Sequence, residues 1–183
     1  MGVTWQAGPQ RICLMGAECT GKTTLAKALA QHFSGLWVSE HLRAFCDQHG
    51  RTPSQLEQRQ VMWTQFEQEE QVVAQAAQAG CAYVFCDTTP LLTAIYSAHY
   101  FADASHLDSA HALHGRYALS LVLQPDLPWQ PDGLQRDGEA TRQAIHTQVL
   151  HELQAKRYPH VQVSGLAADR LQAGILAVET LTR

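Results

Sequence analysis

Directly after a short apolar run, the chain reads Gly16-Ala17-Glu18-Cys19-Thr20-Gly21-Lys22-Thr23-Thr24. This segment satisfies the spacing G-x-x-x-x-G-K-[ST], and its surroundings predict a strand before it and a helix after it. In that setting the glycines let the backbone curl, so that its N–H groups converge on phosphate oxygens, and the helix N-terminus adds the positive end of its dipole. The segment therefore predicts a loop that binds the phosphates of a nucleoside triphosphate.

The residues inside this loop differ in how clearly their roles can be predicted. We expect Lys22 to reach the terminal phosphates and Thr23 to ligate magnesium, so ATP and Mg²⁺ are the expected cofactors. Cys19 lies where converging N–H groups and Lys22 could activate a thiol, or it simply fills the loop as a small residue. Glu18 would be repelled by bound phosphate, so it is not expected to act as a base, and its role stays open.

Short apolar runs alternate with helical stretches along the rest of the chain. The predicted strands are Arg11–Met15, Leu36–Ser39, Ala82–Cys86, Ala118–Leu123 and Val161–Val163. The predicted helices are Lys22–Phe33, Ser54–Ala79, Pro90–Tyr100, Glu139–Ala155 and Ala167–Leu181. Apolar strands separated by helices indicate a parallel sheet covered on both faces. We therefore predict an α/β protein: a three-layer α/β/α P-loop NTPase with a mainly parallel, five-stranded sheet.

Ligands of such sheets bind beyond the carboxyl ends of the strands, and polar residues cluster there. Glu40 and Arg43 follow the second strand, where a small-molecule kinase needs a carboxylate to accept or orient the acceptor hydroxyl. The alternative is a helical acid that balances the dipole beside an ordinary surface pair. Asp87 follows the third strand, as a carboxylate that holds magnesium would, or else as the N-cap of the next helix.

Two further strand ends carry candidate residues. After the fourth strand, Trp129 offers a flat surface for stacking, while Arg136 and Arg142 could close over the transferring phosphate as a lid. A structural Pro-Trp loop with solvated arginines is the competing interpretation. After the fifth strand, Gly165 and Arg170 would frame the adenine of the nucleotide, or would form a helix N-terminus with an ordinary ion pair.

Composition narrows the class of protein. The chain has 183 residues, 45% hydrophobic and 16% charged, and we expect residues 1–183 to form a single domain. Thirteen basic residues against 17 acidic ones argue against a nucleic-acid coat, and no segment has the length and apolar character of a membrane span. Five cysteines without a CxxC pair fit reduced thiols in a cytoplasmic protein.

Taken together, these motifs resemble the ribosylnicotinamide kinase domain of the NadR family and its stand-alone relatives, which are often labelled AAA-family ATPases. Besides the loop, the segments that carry the resemblance are Val38-Ser39-Glu40-His41-Leu42-Arg43, Asp87-Thr88-Thr89-Pro90, Asp126-Leu127-Pro128-Trp129-Gln130-Pro131-Asp132-Gly133, Gly165 and Arg170. The resemblance implies phosphorylation of the ribose 5′-hydroxyl of nicotinamide riboside by ATP and magnesium. It assigns nucleoside binding to Glu40, Arg43 and Trp129, with Asp87 as magnesium-linked acid or alternative base. The chain departs from the family's Asp-Thr-Asp at Thr89.

A second hypothesis comes from a different class of protein. The predicted helix Ser54–Ala79 is long and rich in glutamine, and it could form the face of a homodimer. The chain would then be a nucleotide-dependent switch or regulatory ATPase that acts on a protein partner. The size and closure of the pocket beside Glu40 and Trp129 would separate this hypothesis from a kinase with a small, nucleoside-like acceptor.

Overall fold

A computed structural model describes residues 8–128 and 138–182 of the chain. Its strands are β1 (Gln10–Met15), β2 (Leu36–Val38), β3 (Tyr83–Asp87), β4 (Leu119–Leu123) and β5 (His160–Val163). Its helices are α1 (Lys22–His32), α2 (His41–His49), α3 (Gln55–Ala79), α4 (Pro90–Phe101), α5 (Leu107–His114), α6 (Gly138–Ala155) and α7 (Ala167–Glu179), followed by a 3₁₀ turn over Thr180–Thr182.

The five strands form one sheet in the order β2-β3-β1-β4-β5, and every neighbouring pair is parallel. Alternate side chains of the central strand β1 enter two separate apolar cores: Cys13 and Met15 face one, and Ile12 and Leu14 face the other. Because helices cover both faces, β3 and β4 are buried along their whole length. The predicted three-layer α/β/α architecture with a five-stranded sheet is confirmed.

The structure contains two helices that apolar periodicity does not reveal. In α5 the buried residues are Ala110, His111 and His114, so small and polar side chains take the place of an apolar stripe. In α2 no residue is buried at all. Helix α3 begins where the sequence predicts, because the Ser54 hydroxyl and the Glu57 carboxylate form a capping box.

Parallel pairing brings the carboxyl ends of β1, β2 and β3 to the same edge of the sheet. The loop after Met15, the segment after Val38 and the end of β3 at Asp87 therefore lie close together. Among the described helices, none combines the length and the apolar character that a membrane span needs.

Candidate active site

The loop between β1 and α1 depends on two glycines with positive φ. Gly16 has φ 151°, and a Cβ there would lie 3.0 Å from both Leu123 O and Thr20 Oγ1, so a larger residue would displace backbone. Gly21 has φ 82° and occupies the N-cap position of α1. The Thr20 hydroxyl donates to Ala17 O at 2.8 Å and closes the turn from within.

Lys22 is folded back over this loop. Its Nζ donates to Gly16 O and to Ala17 O, both at 3.0 Å, and the residue is only 9% exposed. The ammonium therefore lies at a cavity of about 210 Å³, which is lined by Glu18, Cys19, Thr20, Gly21, Lys22, Thr23, Thr24, Glu40, Arg43 and Tyr96. Of the predicted residues, the structure thus brings Glu40 and Arg43 to the same cavity as residues 18–24.

Thr23 and Asp87 meet at the floor of the site. The Thr23 hydroxyl donates to Asp87 Oδ2 at 2.5 Å, and Asp87 is 1% exposed. Its second carboxylate oxygen, Oδ1, is buried and has no hydrogen-bond partner in the described residues. A hydroxyl and a carboxylate are ligands that Mg²⁺ prefers, and an unpartnered buried oxygen needs a cation or donor, so the two residues fit this metal.

The alternative role of Asp87 as a helix cap falls instead to Thr89. Its Oγ1 accepts a hydrogen bond from the Leu92 N–H at 3.2 Å and caps α4, with Pro90 in the first turn. The position at which the chain departs from Asp-Thr-Asp is therefore used as an N-cap, which is a common role for threonine.

Glu40 is held by a residue that the sequence did not single out. The Thr88 hydroxyl donates to Glu40 Oε1 at 3.0 Å, while the Thr88 N–H donates to Leu14 O at 3.2 Å. Thr88 has φ 76°, a conformation that β-branched residues rarely adopt. Strained residues cluster at functional sites, but a left-handed threonine leaves no mark on the sequence.

A second cavity, of about 360 Å³, adjoins the first. Its lining residues are Glu18, Glu40, Leu42, Thr52, Pro53, Gln58, Thr88, Thr93, Tyr96, Tyr100 and Phe101. It shares Glu18, Glu40 and Tyr96 with the cavity at the phosphate-binding loop. The rings of Tyr96 and Tyr100 stack with centroids 5.8 Å apart and an interplanar angle of 2°. The walls thus combine carboxylates with flat aromatic faces.

Of the two arginines predicted to form a lid, only Arg142 lies in the described part of the chain. Arg136 falls outside it, and so does Trp129, the predicted stacking residue. The Arg142 side chain is fully buried, and its two terminal nitrogens donate to Leu127 O at 3.2 and 3.1 Å. It also pairs with Glu139 at 2.9 Å. Arg142 thereby fixes the chain just before residues 129–137.

Arg170 ties α7 to the back of the phosphate-binding loop. Its Nε donates to Gly165 O at 2.8 Å, and its terminal nitrogens donate to Thr20 O and pair with Asp126. Asp126 also accepts the Gly165 N–H at 2.7 Å. Although partial burial opposes it, these two partners lower the pKa of Asp126. Gly165 and Arg170 thus lie together, and the ion pair of Arg170 is made with Asp126.

Several solved structures have a fold similar to that of this chain. The structure of a NadR protein in complex with NR is similar, with a TM-score of 0.79 and 20% identity over 95% of this chain and 52% of that one. Deoxyadenosine kinase from M. mycoides matches with TM-score 0.62 and 11% identity, over 95% of this chain and all of its own. Thymidylate kinase from Ehrlichia chaffeensis matches with TM-score 0.66 and 14% identity, over 96% of this chain and all of its own.

The chain spans about half the length of the NadR protein that it matches. No curated protein matches it. These likenesses confirm the P-loop kinase fold that the sequence predicts. The family model of the AAA domain matches residues 11–170, which is most of the chain, and the chain therefore belongs to the AAA domain family.

Proposed function

We propose that the protein is an ATP-dependent and magnesium-dependent kinase that phosphorylates the ribose hydroxyl of a nucleoside, with nicotinamide riboside as the first candidate. The observation that carries the proposal is the junction of the two cavities. Glu18, Glu40 and Tyr96 line both, so a hydroxyl bound in the larger cavity can face a phosphate bound at the loop. In-line transfer needs this arrangement.

Each residue of the site has a distinct role in this reaction. The backbone of residues 16–21 and the Lys22 ammonium hold the phosphates. Thr23 and Asp87 would hold Mg²⁺, which would offset the charge on the transferring group. Glu40 orients the acceptor hydroxyl and takes its proton, and Thr88 fixes the Glu40 carboxylate in position. We prefer Glu40 to Asp87 as the base because Glu40 lines both cavities, whereas the Asp87 carboxylate pairs with Thr23 at the proposed metal position.

The chemistry of the larger cavity favours a nucleoside over a nucleotide as acceptor. Its described lining carries two carboxylates, Glu18 and Glu40, and no lysine or arginine, so a phosphorylated acceptor would be repelled. The faces of Tyr96 and Tyr100 suit a flat ring, and a cationic pyridinium ring gains from both the aromatic faces and the acids. The NadR protein of similar fold binds NR.

The remaining predicted residues complete the proposal. Arg43 lines the phosphate cavity and contributes positive charge there. We assign stacking on the acceptor ring to Trp129 and a phosphate contact to Arg136. The buried contacts of Arg142 with Leu127 fit an anchor for the segment that carries those two residues. Gly165 and Arg170 are assigned to the adenine side of the nucleotide.

The switch hypothesis has weaker support. A volume of about 360 Å³ falls within the usual range for pockets that bind small molecules, roughly 300–1,000 Å³. That size suits a nucleoside rather than a protein surface. A dimer formed through α3 and a cytoplasmic location stay predictions.

The experiment is ATP turnover with a panel of nucleosides, including nicotinamide riboside, and with the corresponding 5′-monophosphates as controls. We expect phosphate transfer to at least one nucleoside and to none of the monophosphates. Lys22→Ala should abolish transfer to every acceptor. Normal ATP binding without transfer to any nucleoside would contradict the proposal, and an oligomeric state that changes with nucleotide would then favour the switch.

A further inference from the structure

Helix α2 carries Glu40 at its N-terminus but contributes no fully buried residue to the core. None of its residues is buried, and the Glu40 side chain makes no capping hydrogen bond to the helix. The first N–H of the helix, that of His41, instead donates to Gln65 Oε1 of α3 at 2.8 Å. The peptide that follows Glu40 is therefore fixed by a side chain from a different helix.

Gln65 is itself held in one orientation by a buried chain of hydrogen bonds. It is 1% exposed, and its Nε2 donates to Glu69 Oε1 at 3.2 Å. Glu69 is fully buried, and its Oε2 accepts the Tyr117 hydroxyl at 2.5 Å. Because the His41 N–H can only donate, the Gln65 side-chain oxygen must face it. The Gln65 side-chain NH₂ then points to Glu69, whose carboxylate accepts its hydrogen bond.

Glu40 is thus held at two points, one on its side chain and one on the peptide that follows it. Thr88 holds the carboxylate itself, and Gln65 holds the next peptide N–H. We propose that Gln65 is a positioning residue for phosphoryl transfer, which caps α2 and thereby places the Glu40 carboxylate at the junction of the two cavities. The expected effect on kinetics rests on the proposed kinase function. The hydrogen bond that caps α2 does not depend on it.

Glu69 makes the arrangement sensitive to pH. Burial raises its pKa to about 7. The hydrogen bonds from Tyr117 and Gln65 and the nearby charges of Arg11 and Arg116 lower this pKa, but their effect is smaller than that of burial. Those two arginines both form ion pairs with Glu70, the next residue of the same helix. The other titratable groups that face Glu69 are the thiols of Cys13 and Cys86, whose pKa values burial raises, so both stay neutral.

The test compares three variants of glutamines on α3. Gln65→Met keeps the volume and removes both hydrogen bonds. Gln65→Glu keeps an oxygen that can accept the His41 N–H. Gln68→Met is the matched control. Gln68 contacts the His41 ring at 3.3 Å, so its replacement removes a contact to the same residue but leaves the hydrogen bond from the His41 N–H to Gln65 intact. The measurements are steady-state kinetics with ATP and an accepted nucleoside, and amide hydrogen exchange at His41.

For Gln65→Met we expect kcat to fall about tenfold or more, with the KM for ATP within about twofold of the wild-type value, because only the acceptor side is displaced. Exchange of the His41 amide should accelerate about tenfold. Gln68→Met should leave both measurements at the wild-type values. If the His41 amide exchanges as slowly in Gln65→Met as in the wild type, Gln65 does not cap α2. If exchange is fast but kcat stays at the wild-type value, Gln65 caps α2 without positioning Glu40 for catalysis.

Gln65→Glu supplies a second readout, the dependence of kcat and of His41 exchange on pH. At pH 6 a single proton can be shared between the carboxyls of residues 65 and 69, so the cap and the activity are retained. At pH 8 the two carboxylates repel each other, and kcat should fall toward that of Gln65→Met. If Gln65→Met does not fold, the dependence of kcat on pH in Gln65→Glu tests the proposal by itself. A pH dependence parallel to that of the wild type would overturn the proposal.

Failure of the inference can be told apart from failure of the proposed function. A wild-type enzyme that transfers phosphate to no acceptor contradicts the kinase assignment. The exchange rate at His41 reports the cap in that case too, without any acceptor.

Discussion

The hydroxyl of Thr23 donates to Oδ2 of Asp87 across 2.5 Å, which joins the first turn of α1 to the last residue of β3. The two residues are 64 positions apart in sequence, and parallel pairing of β1 with β3 brings them together. Asp87 Oδ1 has no partner in the described part of the chain. The two side chains therefore offer oxygen atoms of the kind that a divalent cation prefers.

Replacing Asp87 with asparagine should raise the magnesium concentration required for half-maximal activity by about tenfold or more, because an amide oxygen is a weaker ligand than a carboxylate. The measurement is kcat as a function of free Mg²⁺ at saturating ATP. Asp108→Asn, which removes an exposed carboxylate from α5, is the charge-matched control. An unchanged magnesium requirement in Asp87→Asn would refute the metal assignment.

The roles of Glu40 and Thr88, which are joined by a hydrogen bond, can be tested by separate substitutions. Glu40→Gln should lower kcat by about 100-fold or more, since it removes a general base, while ATP affinity measured by calorimetry stays near the wild-type value. Thr88→Val should have a smaller effect, because it loosens the carboxylate without removing it. Thr88→Ser keeps the hydroxyl and serves as the control. If Glu40→Gln and Lys22→Ala lose ATP affinity equally, the assigned roles are wrong.

How far the sequence predicts this protein depends on how local each feature is. The loop from Gly16 to Thr24 is contiguous, so its spacing alone predicts a strand, a phosphate cradle and a helix. Glu40 and Asp87 are found because parallel strands end at one edge. The fold and most of the wall of the cavity at the phosphate-binding loop follow from these local patterns, whereas the aromatic wall of the larger cavity does not.

What the sequence does not reveal are contacts made by side chains far apart in the chain. The hydrogen bond from Thr88 to Glu40 joins positions 48 residues apart, and that from Arg170 to Thr20 joins positions 150 apart. Neither leaves a spacing signature. In the same way, α5 is stabilised by a buried face of alanine and histidine, which hydrophobic periodicity cannot detect.

Arg170 should stabilise both the fold and the phosphate-binding loop. It is 4% exposed, and Arg170→Met would leave Thr20 O and Gly165 O without this donor, at a cost of about 2 kcal/mol or more in the free energy of unfolding. We expect the KM for ATP to rise as well. Urea denaturation and ATP kinetics check this, with the exposed Asp169→Asn as control. A wild-type unfolding midpoint in Arg170→Met would contradict the structural role.

The last prediction concerns the dependence of stability on pH. Burial raises the pKa of Glu69 from 4.5 to about 7, so the folded protein binds this proton more tightly than the unfolded chain does. The stabilisation is complete below the unfolded pKa and is lost as the pH rises through about 7. This difference in pKa corresponds to a contribution on the order of 3 kcal/mol.

Glu69→Gln keeps hydrogen-bonding groups toward Gln65 and Tyr117 but cannot titrate. Its free energy of unfolding relative to the wild type should therefore increase by on the order of 3 kcal/mol between pH 4 and pH 8. The measurement is urea denaturation at several pH values, with Glu67→Gln on the exposed face of the same helix as control. A constant difference between Glu69→Gln and the wild type would mean that Glu69 titrates alike in the folded and unfolded chains. The hydrogen bonds of Tyr117 and Gln65 would then balance the effect of burial on its pKa.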